Sequence, residues 1–206
     1  MKFFIIIKEK SERVPNKNFR DFKGKPLWKY TIDKLSDFFV FIDTDSEEII
    51  RECKNIKNVK AYRRFKGLMG DKTSVVDLIE NFIRTYKIKS PLCQIHVTSP
   101  FLKTSDIKGS FHKIKEGYDS VFSVTKTQKR FWDLNDNPLN HNPKKLIQTQ
   151  DLEPWYEENS YLYTFKPNVI YEYNNRISKN CYKMEIGFPY NLDIDNEDDW
   201  DLISKI

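Results

Sequence analysis

Five consecutive apolar residues, Phe3-Phe4-Ile5-Ile6-Ile7, stand between Lys2 and the charged Lys8-Glu9-Lys10. A strand with one wet face alternates apolar and polar side chains, so an unbroken run of this length reads as a strand covered on both faces. Such strands belong to mostly parallel sheets, whose crossover helices supply the cover. The rest of the chain is built to match. A helix is expected from near Pro26 through Leu27, Tyr30, Ile32 and Leu35, with Pro in the first turn where its missing N–H costs nothing. Phe38–Ile42 reads as a second strand, and Thr44-Asp45-Ser46-Glu47 as a capping box with Thr44 as N-cap.

The alternation continues to the end. Val59–Tyr62 is an expected strand, and Ser74–Tyr86 a helix with Val75, Leu78, Ile79, Phe82 and Ile83 on one face. Leu92–Val97 is a strand, Thr104–Glu116 a helix stopped by Gly117, and Ser120–Thr125 a strand. The pattern is lost over 126–150, which holds Pro138 and Pro143 and reads as an extended arm or hairpin. Tyr161–Phe165 is again a strand. Asn191–Ile194 leads into a final helix whose first turn, Glu197-Asp198-Asp199, complements the helix dipole. The expected fold is α/β, a mostly parallel sheet with helices on both faces, in a single domain over 1–206. Ligands of such sheets sit at the carboxyl ends of the strands.

Composition narrows the function classes. The chain has 35 Lys and Arg against 30 Asp and Glu, a net charge of +5. The two signs are interspersed, which argues against a nucleic-acid partner and suits an anionic small molecule. No apolar run approaches the roughly 18 residues of a membrane span. The opening apolar run lacks a small-residue cleavage site, so it is not expected to be a signal peptide. Three scattered cysteines give no disulfide framework and point to a reducing cytoplasm.

Chemistry concentrates in the loop after the first strand, KEKSERVPNKNF, Lys8–Phe19. It lies where a phosphate site is expected, yet it is neither a P-loop nor a dinucleotide fingerprint, since the first glycine is Gly24. Basic side chains must do what glycine-rich backbone does elsewhere. Asp193 and Asp195, two apart on an expected strand, project from one face and repel unless a cation or donor lies between them. Mg²⁺, a hard ion that uses one or two carboxylates plus substrate phosphates, suits them. Cys93 and His96 are three apart on a strand and face opposite sides, which excludes a shared zinc.

Ser11, Arg13, Val14, Pro15, Lys17, Asn18 and Gly24-Lys25-Pro26-Leu27 stand in the order of a known signature. The segment resembles that of the CMP-sialic-acid and CMP-Kdo synthetases, the acylneuraminate cytidylyltransferase family. The resemblance runs along nearly the whole chain. It includes Asp43-Thr44-Asp45-Ser46-Glu47, Arg64 with Gly70-Asp71-Lys72-Thr73-Ser74, and Thr98-Ser99-Pro100. It continues through Ser120–Thr125, Asn159–Tyr163 and Leu192-Asp193-Ile194-Asp195. Departures are Lys8 for an arginine, Glu12 for a lysine, His96 for a glutamine, Leu102 for an arginine, and Gln148 and Thr149 in an arginine-rich stretch.

The resemblance implies a Rossmann-like nucleotide-diphospho-sugar transferase fold. It implies transfer of CMP from CTP to the anomeric hydroxyl of an acidic sugar, with release of pyrophosphate. Lys17 and Arg13 would be catalytic, and Lys8, Ser11, Asn18, Arg64, Ser74 and Ser99 would hold the nucleotide. His96, Gln150 and Tyr163 would meet the sugar, and Asp193 and Asp195 would hold Mg²⁺. The arm over 126–150 would serve a homodimer. Two alternatives stay open: a nucleotidyltransferase of this fold with another sugar or base, and a binding homologue without turnover.

Overall fold

The computed structural model describes residues 1–70 and 72–206. In chain order, β1 (Lys2–Ile7) is followed by a long loop and the two-residue strands β2 (Asp21–Phe22) and β3 (Lys25–Pro26). Then come α1 (Leu27–Asp33), β4 (Phe39–Thr44), α2 (Glu47–Cys53), β5 (Val59–Arg63), α3 (Val75–Thr85) and β6 (Leu92–Ile95). The chain ends with α4 (Thr104–Lys115), β7 (Ser120–Thr127), β8 (Trp155–Phe165), α5 (Asn168–Tyr173), β9 (Cys181–Glu185) and α6 (Glu197–Ser204).

Among the described residues, seven strands form one sheet in the order β5-β4-β1-β6-β8-β7-β9. β8 runs antiparallel to both of its neighbours, and the remaining pairings are parallel. The apolar run at the start is β1, central in the sheet, with Phe3, Phe4, Ile5 and Ile7 out of contact with solvent. Alternate residues of β1 feed opposite faces. Phe3, Ile5 and Ile7 pack with residues of α1, α2 and α4, among them Trp28, Ile49 and Ile107. Phe4 packs with α3 and α5, where Phe82 stacks on it at 4.6 Å. A fully buried Phe or Ile contributes about 1.5–3 kcal/mol, so both faces are strongly driven to keep their helices.

Two sequence expectations need correction. The helix after β4 starts at Glu47 with Ser46 as its N-cap, and no side chain caps it. Thr44 ends β4, and its hydroxyl accepts from the Ser46 N–H two residues on, a local turn and not a capping box. Asn191–Ile194 is not a strand either. A single backbone bond, Ile194 N–H to the Thr98 carbonyl at 3.0 Å, ties it to the rim of the sheet. Side-chain alternation survives without a ladder, because Ile194 is fully buried among Val14, Phe22, Leu27 and Trp200. Asp193 and Asp195, on either side of it, line a common cleft.

The stretch 126–150 is irregular, as expected. β7 continues to Thr127 and β8 begins at Trp155, and between them Trp132 and Pro138 form an isolated bridge around the turn Asp133–Asn137.

Candidate functional site

Each parallel strand delivers its last residues to one rim of the sheet. At the end of β1 the chain enters the Lys8–Asn18 loop, which is held at several points. The Glu9 N–H donates to Asp45 Oδ1 at 2.7 Å, and Asn18 Nδ2 donates to the Lys8 carbonyl at 2.8 Å. Val14, with no solvent exposure, plugs the loop into the cluster formed by Phe22, Leu27, Ile194 and Trp200. Asn16 takes the left-handed conformation, φ 54°, which Asn tolerates, and turns the chain into Lys17–Phe19. The β2–β3 hairpin behind the loop closes on Lys23 and Gly24, both with positive φ, the geometry of a two-residue primed turn.

This loop lines a cleft of about 410 Å³ through Lys8, Lys10, Ser11, Glu12, Arg13, Lys17 and Asn18. Ile6, Thr73, Val75, Leu78, His96, Val97 and Thr98 complete the wall. The first turn of α3 therefore borders the cleft, and its unpaired N–H groups favour an anion there. Ser74 is the N-cap of that helix: its hydroxyl accepts from Asp77 N, and the Asp77 carboxylate accepts from Ser74 N, each at 3.1 Å. Asp71, part of the same motif, lies outside the described residues.

Lys17 stands where the loop meets the aspartates. Its Nζ donates to the Ile194 carbonyl at 2.6 Å, between Asp193 and Asp195 in sequence. Burial lowers its pKa, and the negative charges of Asp193 and Asp195 oppose that shift. Arg13 Nη2 pairs with Asp195 Oδ1 at 2.6 Å, and Ser99 Oγ donates to Asp193 Oδ1 at 3.2 Å. The Arg13 pair is well exposed and so contributes little to stability. A substrate can exchange for it at small cost. The aspartates face a second cleft of about 200 Å³, shared with Thr125, Glu157, Glu158, Asn159, Ser160 and Asn191.

Arg64 lines a third cleft together with Lys8, Lys10, Glu12 and Asp45, so the first and third clefts share the loop as their common wall. Its side chain is buried and paired through Nε to Asp43 Oδ1 at 2.5 Å. Burial raises the Asp43 pKa, and Arg64 opposes the rise. Among the described residues Arg64 Nη2 finds no hydrogen-bond partner, and the Tyr62 hydroxyl lies beside the Asp43 carboxylate.

The sugar-side candidates are dispersed. His96 is half-buried on the wall of the first cleft. Tyr163 is fully enclosed, so its ring offers no contact surface; its hydroxyl donates to Glu158, which borders the aspartate cleft. Gln150 is exposed on the arm, bonded to Gln148, and lines neither cleft. Cys93 is buried in the core on the face opposite Phe4, and burial pushes its thiol up to about 12, which leaves it inert.

The first cleft also takes in Ile6, Val75 and Leu78, which the sequence marked only as apolar positions of a strand and a helix. Asp43 had a visible cue, a charge ending the buried run Phe41-Ile42. Gln94 and Arg176, whose side chains bond at 2.6 Å, had no such cue, because their pairing depends on how β6, β8 and a distant loop pack.

The family model described as Cytidylyltransferase matches residues 5–206. N-acylneuraminate cytidylyltransferase A of Danio rerio is 30% identical over 208 residues, 95% of this chain and 48% of that protein. N-acylneuraminate cytidylyltransferase of Streptococcus agalactiae serotype V is 26% identical over 203 residues, 92% of this chain and 49% of that protein. The chain thus spans about half the length of these curated relatives. Pseudaminic acid cytidylyltransferase of Campylobacter jejuni is 28% identical over 139 residues, 62% of this chain and 60% of that protein. Among solved structures, a CMP:2-keto-3-deoxy-manno-octonic acid synthetase complexed with CTP superposes with a TM-score of 0.69 at 12% identity, covering 98% of this chain and 96% of the other. That likeness bears on the fold alone.

Proposed function

The chain belongs to the cytidylyltransferase family, and from that premise we propose that it transfers CMP from CTP to the anomeric hydroxyl of an acidic sugar, releasing pyrophosphate. The observation that carries this reading is the convergence of the basic loop on the paired aspartates, made by Lys17 Nζ on the Ile194 carbonyl. Phosphoryl chemistry asks a protein mainly for positioning and charge stabilisation. The cleft offers both. Lys8, Lys10, Arg13 and Lys17 bring positive charge to one wall, and the start of α3 brings N–H donors to another. Arg13 and Lys8 hold the leaving pyrophosphate in this reading. Lys17, bonded to the Ile194 carbonyl between the two aspartates, stabilises charge at the transferred phosphate in this reading.

Asp193 and Asp195 fit Mg²⁺ by donor chemistry: two carboxylates on one cleft, with Asp195 half exposed. Among the described residues no group of three or more His, Cys, Asp or Glu is arranged as a metal site. A pair is what Mg²⁺ needs when phosphates complete its shell. Bound there, Mg²⁺ supplies neutralisation of phosphate charge. Arg13 would then release Asp195 and turn to the substrate.

In this reading the sugar lies on the side of His96 and the aspartate cleft, with a nonulosonate of the sialic-acid type as the preferred acceptor. A homodimer through 126–150 belongs to the same reading, supported by Trp132, Leu134, Leu139 and Leu146, all exposed on the arm. No described helix is long and apolar enough to cross a membrane, and three unpaired cysteines suit a reducing cytoplasm.

The test is incubation of the chain with CTP, Mg²⁺ and a panel of acidic sugars, scored by mass for CMP-sugar and for pyrophosphate. CMP-sugar formation with an acidic nine-carbon sugar is expected. Pyrophosphate release from another nucleotide in preference to CTP, or no product with any acidic sugar, overturns the reading.

A further inference from the structure

Gln94 and Tyr163 are register partners on β6 and β8, so their side chains lie together on one face of the sheet. Arg176, in the loop between α5 and β9, lies across both of them. Its guanidinium sits 3.5 Å from the centre of the Tyr163 ring, and its Nη1 donates to Gln94 Oε1 at 2.6 Å. Glu158, which accepts a hydrogen bond from the Tyr163 hydroxyl, is 3.9 Å from Arg176 Nη2. The other end of the Gln94 amide, Nε2, is 3.0 Å from His96 Nε2. His96 in turn lines the main cleft.

Hydrogen-bond polarity along this chain has one solution. Arginine has donors and no acceptor, so the Gln94 oxygen must face it. The amide NH₂ is then forced toward His96, and it too can only donate. His96 Nε2 must therefore be the bare, accepting nitrogen, and the proton of the neutral ring must be on Nδ1. We propose that Arg176, acting through Gln94, is a positioning residue that locks His96 as the neutral Nδ1–H tautomer on the cleft wall. Protonation of Nε2 would set N–H against N–H across 3.0 Å, and Gln94 cannot turn over to relieve it while Arg176 holds its oxygen. The charged neighbours do not reverse this. The His96 pKa falls to about 4: burial lowers it most, Asp193 opposes, Arg176 and Lys17 add to the lowering, and Asp195 opposes. On the function proposed above, the ring meets the acidic sugar as a fixed donor that is neutral at working pH.

The test needs no substrate, so it can fail while CMP transfer holds, or succeed where CMP transfer fails. The full chain, labelled with ¹⁵N, has three histidines, and His96→Gln identifies the ring signals of His96. The spectrum should show Nδ1 protonated and Nε2 bare, unchanged between pH 8 and pH 5.5. A protonated Nε2 at pH 8 overturns the proposal. Gln94→Glu keeps the shape and replaces the donor with an acceptor. It should move the proton to Nε2 and raise the His96 titration above its position in the parent chain; an unchanged tautomer and titration overturn the proposal. Arg176→Met frees the amide and should give a mixture of tautomers, with Arg176→Lys restoring the parent pattern in part. A parent spectrum in folded Arg176→Met shows that Arg176 does not position Gln94. If Arg176→Met fails to fold, the parent chain and Gln94→Glu still decide.

Discussion

Lys17 is half-buried on the cleft wall, where burial lowers its pKa and the charges of Asp193 and Asp195 oppose the shift. In the proposed reaction such a group acts on charge that develops at the transferred phosphate. Lys17→Ala is expected to lower kcat by about 10²–10³, the usual cost of a lost preorganised donor, with a smaller change in the CTP requirement. Lys8→Ala, at the mouth of the loop, should mainly raise the CTP KM. Steady-state kinetics on both variants separates the roles; near-normal kcat in Lys17→Ala makes it a binding residue. Asp193→Asn and Asp195→Asn keep shape and lose charge, so each should remove most Mg²⁺-dependent turnover while leaving thermal unfolding close to the parent. Normal Mg²⁺ dependence in both would make the pair structural. The sequence displayed Lys17, Arg13 and the aspartates because a loop motif and an i, i+2 spacing are local properties. It could not display Gln94 or Arg176, whose partners are 82 residues apart.

Single elements show where local reading succeeds. β1 was visible because its cover on both faces leaves no polar residue between Phe3 and Ile7. α3 was visible because its apolar stripe is continuous; its capping box, Ser74 with Asp77, emerges only in the structure. The box expected at Thr44 failed because several polar residues in a row can each cap, and the backbone path beyond β4 decides among them. The segment around Asp193 failed as a strand because its partner, the Thr98 carbonyl, belongs to the rim and not to a strand. Two stability predictions follow the elements. Ser74→Ala removes the cap of α3 and should cost about 1 kcal/mol. Gly117 ends α4 with φ +115°, a conformation that strains any side chain although the space around it is open. Gly117→Ala should therefore cost roughly 1–3 kcal/mol. Urea unfolding reads both as a shift in midpoint at constant slope; no shift at Gly117→Ala would mean that the turn relaxes.

For the molecule as a whole, the arm is the least determined part of the fold and the part most directed outward. Trp132, Leu134, Leu139 and Leu146 face solvent on it, and the proposed dimer would cover them. Sedimentation of the intact chain should show a dimer, and Leu134→Asp with Leu146→Asp should shift it toward monomer. A monomer at all concentrations would remove the arm from the assembly. At its base the arm is stitched. Gln128 Nε2 donates to the Gln150 and Leu152 carbonyls, each at 2.9 Å, and Arg130 donates to the Ile147 carbonyl at 2.6 Å.

The reversal of β8 gives that arm an unusual freedom. Parallel neighbours must be joined by a crossover that carries the chain from one rim of the sheet back to the other, and its minimum length is fixed. β7 and β8 run in opposite directions, with Thr127 beside Trp155, so the chain leaves and re-enters the sheet at the same place. The tract between them is then an insertion with coincident ends. Its closure cost grows only as the logarithm of its length, and no strand changes neighbour when it lengthens, shortens or is exchanged. A lineage can therefore redraw this appendage beside the aspartate cleft, and with it the company the molecule keeps, while the sheet that positions the chemistry stays as it is.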